Sequence, residues 1–236
     1  MPNIAVINDS AEATDSEIEA MMPAFGQQWN TDLREVWGVD DATFTFYPKG
    51  VKPATGSWWL VFLDTSDQPE ALAYHDLTDE GLPISKVFVK TIQSDNASLS
   101  VGATHELCEM AVDPWLNSGY QDPNGTFWAG EICDPVEADE YAYKIGDVMV
   151  TDFVTPDWFA HEHSQGPVDF KRHANKSFEL LSGGYAQFFD PQKGWQQVTG
   201  NKAVRSRRAD PPIGSRRDRR ARRFKTKECR RSSRFA

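Results

Sequence analysis

The stretch from Ser98 to Pro114 constrains this chain more than any other, because it asks one helix to be both internal and charged. Ser98 or Ser100 offers an N-cap, and Asp113-Pro114 supplies a stop. The lead-in Leu99, Val101, Gly102 and Ala103 is apolar and small, which suits a helix packed on several sides, yet His105, Glu106 and Glu109 follow directly. Successive helical residues advance by about 100°, so His105 and Glu109 stand about 40° apart on one face and Asp113 continues the same stripe. Glu106 points about 100° from His105. A buried imidazole with two carboxylates needs compensation, and a divalent cation supplies it. The pattern therefore predicts a metal site in which His105 and Glu109 are ligands and Glu106 is left to handle protons as a general base.

A third ligand is expected downstream, where Gly130-Glu131-Ile132-Cys133-Asp134-Pro135-Val136-Glu137 is the richest acidic cluster. Glu131 is the first choice and Asp134 the next, with support of a ligand as its other role; Asp113 either ligates or orients the loop after the helix. Cys108 and Cys133 each lie within three residues of a candidate ligand; buried inert thiols are the expectation there, with a bridge or a thiolate ligand as the alternative. His161 and His163 are spaced to face one way on a strand and form an alternative metal pair, equally well explained by a polar loop. His75, after Tyr74 in a strand-like run, reads as a partly buried histidine with a satisfied ring, and His173 has no distinguishing context.

Ahead of this helix the pattern is regular. Ile4 to Asn8 is a short apolar run, and Ile18, Met22, Phe25, Trp29, Leu33 and Val36 recur at steps of three and four, the mark of an amphipathic helix. Thr14, Asp15 or Ser16 caps it, Gly38 ends it, and Pro23 marks a kink or a second start. Four runs rich in β-branched and aromatic residues follow, at 43–47, 58–63, 71–75 and 86–91, and read as one sheet. Beyond the helix the chain is rich in Gly, Pro, Asn and Asp, with strand signals at 141–144, 148–153, 185–189 and 195–198. The expectation is an α+β fold: a mixed twisted sheet with two main helices in the N-terminal half, and a loop-rich C-terminal half with short strands.

Charge divides the chain in two. Residues 202–236 carry 15 Lys or Arg against 3 Asp or Glu, so of the 25 basic and 35 acidic residues in the whole, the first 201 hold 10 and 32. A body of −22 is thus joined to a tail of +12. Residues 1–201 form the expected metal-binding domain; 202–236 lack the apolar residues a core needs and read as a basic, disordered tail. Such a run can contact nucleic-acid phosphates, but no aromatic interleaving accompanies it and the acidic body opposes that contact. No run of about 18 apolar residues exists and no basic-then-apolar leader opens the chain, so a cytoplasmic protein without membrane contact is expected.

The order strand, helix, four strands, charged helix, together with His105-Glu106-Leu107-Cys108-Glu109 and Asp113-Pro114, resembles the zincin-like metallopeptidases. More narrowly, Thr104 to Pro114 followed by Gly130-Glu131-Ile132-Cys133-Asp134 resembles a group of phage and bacterial zincin-like proteins with an HExxExxxDP helix and a downstream acidic segment. The resemblance covers about residues 4–200 and leaves out the basic tail. It implies Zn2+ as cofactor, a peptide or protein substrate, and a run at 71–75 that acts as the edge strand pairing with that substrate. Glutamate replaces the second histidine of the usual motif, which leaves less positive charge on the zinc and a less acidified water. Tyr120, Tyr141 and Tyr143 are candidate donors to the oxyanion. The alternative that the resemblance implies is a catalytically inactive, virion-associated zincin-like phage structural or accessory protein, for which eight Trp and an acidic body suit a surface for virion assembly partners.

Overall fold

Near-continuous apolar runs build the centre of the molecule, as expected for strands covered on both faces. In the computed structural model, which describes residues 1–68, 71–160 and 166–200, these runs are β1 (Asn3–Asn8), β2 (Thr43–Tyr47), β3 (Trp58–Leu63), β4 (Ala73–Leu77) and β5 (Pro83–Phe88). They form one sheet in the order β2-β1-β3-β5-β4. The pairs β1–β2, β1–β3 and β3–β5 are parallel, whereas β4 runs antiparallel to β5 at the edge. The run expected at 86–91 proves to be divided: β5 ends at Phe88 and its last residues open the short helix α3 (Val89–Ser94).

Between β1 and β2 lies helix α1 (Asp15–Gln27), opened by a capping box in which Thr14 and Glu17 satisfy each other's backbone N–H groups. Pro23 neither ends nor restarts it. The change of period comes later, in a π-helical stretch (Gln28–Leu33) that leads into α2 (Arg34–Trp37), and Gly38 closes the run in the left-handed conformation at φ 66°. The π stretch turns Gln28 inward, where its side-chain amide donates to the Thr151 carbonyl at 2.7 Å.

The charged helix, α4 (Leu99–Val112), begins at the Ser98 cap and packs on β5 and β4. Ten of its fourteen residues are buried, which explains its weak amphipathic pattern: it has no solvent face to mark. Ala103, Leu107 and Met110 join the core formed with Ile4, Val6, Leu60, Phe62, Val87 and Ile92. Cys108 faces a second core around Ile132, Cys133, Val136, Phe153, Trp158 and Val168.

The C-terminal half contains more sheet than its composition suggests. Two three-residue strands, β6 (Gly119–Gln121) and β7 (Phe127–Ala129), form a hairpin around Asp122-Pro123-Asn124-Gly125. With β8 (Tyr143–Ile145) and β9 (Val148–Val150) paired separately, β10 (Tyr185–Asp190) and β11 (Gly194–Thr199) extend that hairpin into the four-stranded order β11-β10-β7-β6. Among the described residues no helix is long and apolar enough to cross a membrane. The basic tail and the His161–His163 pair lie outside the described residues.

A candidate metal centre

Helix α4 is aimed by contacts on three sides. Ser85 Oγ on β5 donates to the Glu106 carbonyl at 3.2 Å, fixing the helix over the sheet. On the opposite side Thr104 Oγ1 donates to Ser100 O at 2.7 Å and accepts the Thr151 N–H at 2.9 Å, so the segment held by Gln28 also holds α4. At the N-terminus, the Ser98 N–H donates to Asp139 Oδ2 at 2.9 Å. The His105, Glu106 and Glu109 side chains are therefore set by a rigid frame, as a ligand set requires.

His105, Glu106 and Glu109 lie at 7%, 3% and 0% exposure, and His75, Glu131 and Asp134 at 0%, 3% and 0%. His105 Nε2 stands 3.2 Å from Glu109 Oε1 and 3.2 Å from Asp134 Oδ1. The Cys133 N–H donates to the same Glu109 Oε1 at 3.3 Å, which ties the acidic loop to the helix. The donor atoms of His105, Glu109 and Asp134 all lie within 4.8 Å of one another, as do those of His75, Glu109 and Glu131.

The acidic loop thus contributes both of its leading candidates in different places: Asp134 sits with His105, while Glu131 sits with His75 across Glu109. The difference arises from the tight 3-10 turn Asp134–Val136, which brings Asp134 under the imidazole. Gly184 makes that approach possible, because a Cβ there would lie 2.1 Å from the Pro135 carbonyl oxygen. Asp113 lies outside both groups of donors. Its Oδ1 accepts the Asn117 and Ser118 N–H groups at 2.7 and 2.9 Å, so it takes the loop-orienting alternative.

His75, read from the sequence as a partly buried histidine with a satisfied ring, joins the site instead. It is fully buried on β4, in register with Ser85 and therefore beneath α4, with Nδ1 3.2 Å from Glu106 Oε2 and 3.5 Å from Glu109 Oε2. Its Nε2 is 3.9 Å from Glu131 Oε2.

Electrostatics follows from this crowding. Burial disfavours a charged His105, but the Glu109 charge, the hydrogen bonds to Asp134 and Glu109, and the Glu106 charge together hold its pKa well above the ordinary imidazole value. Among the described residues the free cysteines are Cys108 and Cys133, both buried as expected; burial, reinforced by Cys108 and the neighbouring carboxylates, pushes the Cys133 thiol up, so it stays neutral. A donor set of imidazole and carboxylate, nine-tenths or more buried and richer in acids than in bases, could hold a divalent cation.

A pocket of about 50 Å³ reaches His105 and Glu106 between Leu72 and Ala73 on the β4 side and Glu137 and Tyr185 on the other. Of the tyrosines, Tyr185 is the one that borders it. Tyr120 is stacked on Phe159 at 4.1 Å, Tyr141 packs against the His173 ring, and Tyr143 donates to Asp32 Oδ2 at 2.6 Å while accepting from Gln28. A larger concavity of about 570 Å³ near Trp29 and Trp58 is lined by a single carboxylate, Asp40, and has no comparable chemistry.

A third group lies apart from these. His173 Nδ1 is 3.2 Å from Asp152 Oδ2 and 3.3 Å from Asp169 Oδ2, and burial with the adjacent Asp169 pushes the Asp152 carboxyl up to about 9. The two aspartates spend their remaining oxygen capacity on backbone N–H groups of Phe153, Lys171, His173 and Ala174. This network fastens the segment after β9 to the loop at 168–174.

Comparison with known protein families, with curated proteins and with solved structures returned no match for this chain.

Proposed function

We propose that the chain is a zinc-dependent hydrolase of the zincin-like kind, acting on peptides, with His105, Glu109 and Asp134 holding the ion and Glu106 serving as general base. The observation that carries this reading is the placement of His105 Nε2 at 3.2 Å from both Glu109 and Asp134, buried, at the end of a pocket that Glu106 also borders. When bound there, zinc supplies Lewis acidity, polarising a carbonyl and drawing the pKa of water toward neutrality.

The protein's own groups do the rest. Glu106 accepts a proton from the attacking water and returns it to the leaving amine, and His75, 3.2 Å from Glu106 Oε2, fixes the direction of that carboxylate. Tyr185 is the candidate donor to the developing oxyanion. The edge strand β4 supports a peptide substrate, since its outer backbone edge runs past the pocket that Leu72 and Ala73 border.

A peptide-library assay comparing zinc-loaded wild type with zinc-loaded Glu106→Gln tests this. The expected result is hydrolysis by the wild type and a loss of about 10²- to 10⁴-fold in the variant, the usual contribution of a positioned proton acceptor. Equal rates would remove Glu106 from the chemistry. No hydrolysis by zinc-loaded wild type would favour the inactive phage accessory protein.

A further inference from the structure

We propose that this centre holds two divalent cations bridged by Glu109, the first among His105, Glu109 and Asp134 and the second among His75, Glu109 and Glu131. The inference rests on the metal-site reading above and goes beyond it in number, ligands and bridging.

Glu109 divides its two oxygens between two imidazoles. Oε1 is 3.2 Å from His105 Nε2 and Oε2 is 3.5 Å from His75 Nδ1. Each imidazole has its own terminal carboxylate: Asp134 Oδ1 is 3.2 Å from the same His105 Nε2 that Glu109 faces, and Glu131 Oε2 is 3.9 Å from His75 Nε2, the ring nitrogen opposite the one nearest Glu109. One ligand atom each from His75, Glu109 and Glu131 still lies within 4.8 Å of the others, so a single His75 nitrogen serves the second ion. The two groups of donors share Glu109 alone and repeat one composition, a histidine, a terminal acid and the common acid. Paired metal sites about 3.5–4 Å apart use such a carboxylate to span both ions.

Charge supports the same count. Glu106, Glu109, Glu131 and Asp134 bring four negative charges into a volume where each is at most 3% exposed. With both imidazoles neutral, as ligation requires, one divalent ion leaves two negative charges buried. Two ions leave none, with Glu106 closing the balance although it belongs to neither group of donors. Removing uncompensated charge from a buried site is strongly favourable. A single-ion centre would instead leave His75 and Glu131 as supports of Glu106 and Glu109, and the two arrangements differ in stoichiometry.

The test uses the full chain, stripped with a chelator, reloaded with Zn2+ and measured by mass spectrometry, then reloaded with Mn2+ for electron paramagnetic resonance. Two zinc per chain are expected in the wild type, one in His75→Gln, and two in His173→Ala, which alters the separate Asp152–Asp169 group and its Tyr141 contact. Mn2+ in the wild type should give an exchange-coupled spectrum, a readout that needs no variant to fold. One zinc per wild-type chain, an uncoupled Mn2+ spectrum, or loss of the second ion in His173→Ala would overturn the bridged pair while leaving a single-ion hydrolase intact. No bound metal at all would overturn both.

Discussion

Zinc should reverse the sign of the pH dependence of stability that His105 contributes. In the metal-free protein the pKa of His105 is raised, with the neighbouring carboxylates prevailing over burial. Unit charges 3.2 Å apart, the His105–Glu109 separation, attract by roughly 5 kcal/mol at an effective dielectric of about 20, before desolvation is subtracted. The native state then holds a proton that the unfolded chain releases near the ordinary imidazole value of about 6.5. The resulting stabilisation is complete below about pH 6.5 and is lost as pH rises toward the raised native value, at about 1.4 kcal/mol per pH unit.

Zinc ligation requires the neutral imidazole, so in the loaded protein the unfolded chain is the state that binds the proton below about pH 6.5. Stability then falls as pH drops, by the same amount per unit. The assay is urea denaturation from pH 5 to 8 in chelator and in Zn2+, for wild type and His105→Asn; subtracting the variant removes Asp152 and the other titrating groups. A wild-type minus variant difference that does not change with pH in chelator, or that slopes the same way in both conditions, would refute the reasoning.

Two further substitutions probe the frame. Gly184→Ala should destabilise the protein by about 1–3 kcal/mol, because its methyl meets the Pro135 carbonyl at 2.1 Å, and should weaken zinc affinity more than tenfold by moving the Asp134 turn; denaturation and metal titration read both. Thr104→Val should cost about 1–3 kcal/mol in denaturant unfolding by stripping the buried Thr151 N–H of its acceptor, with an unchanged zinc stoichiometry.

Much of the helix and little of its surroundings could be read from residue order. The Ser98 cap, the Asp113-Pro114 stop and the spacing of His105 and Glu109 are local signals, and α4 lies within a residue of where they place it. The amphipathic helix after β1 follows from periodicity and the five runs of the main sheet from their apolar, β-branched and aromatic residues, although the start of β5 at Pro83 and the helix α3 were not legible in the run at 86–91. The β6–β7 hairpin announced its turn but not its strands, which are only three residues long.

His75 carried no local mark at all. Its role depends on the antiparallel register that sets it opposite Ser85 and so under α4, a relation made by pairing between distant residues. The choice between Glu131 and Asp134 was equally hidden. The two are three residues apart, and a 3-10 turn packed against Gly184 decides which one meets which imidazole.

Anomalous diffraction from crystals of the zinc-loaded protein, collected on either side of the zinc absorption edge, tests the buried centre most directly. The account predicts a strong peak within ligand distance of His105, Glu109 and Asp134. Zinc that appears only at surface residues or at Asp152, Asp169 and His173, with none between α4 and the acidic turn, would contradict it.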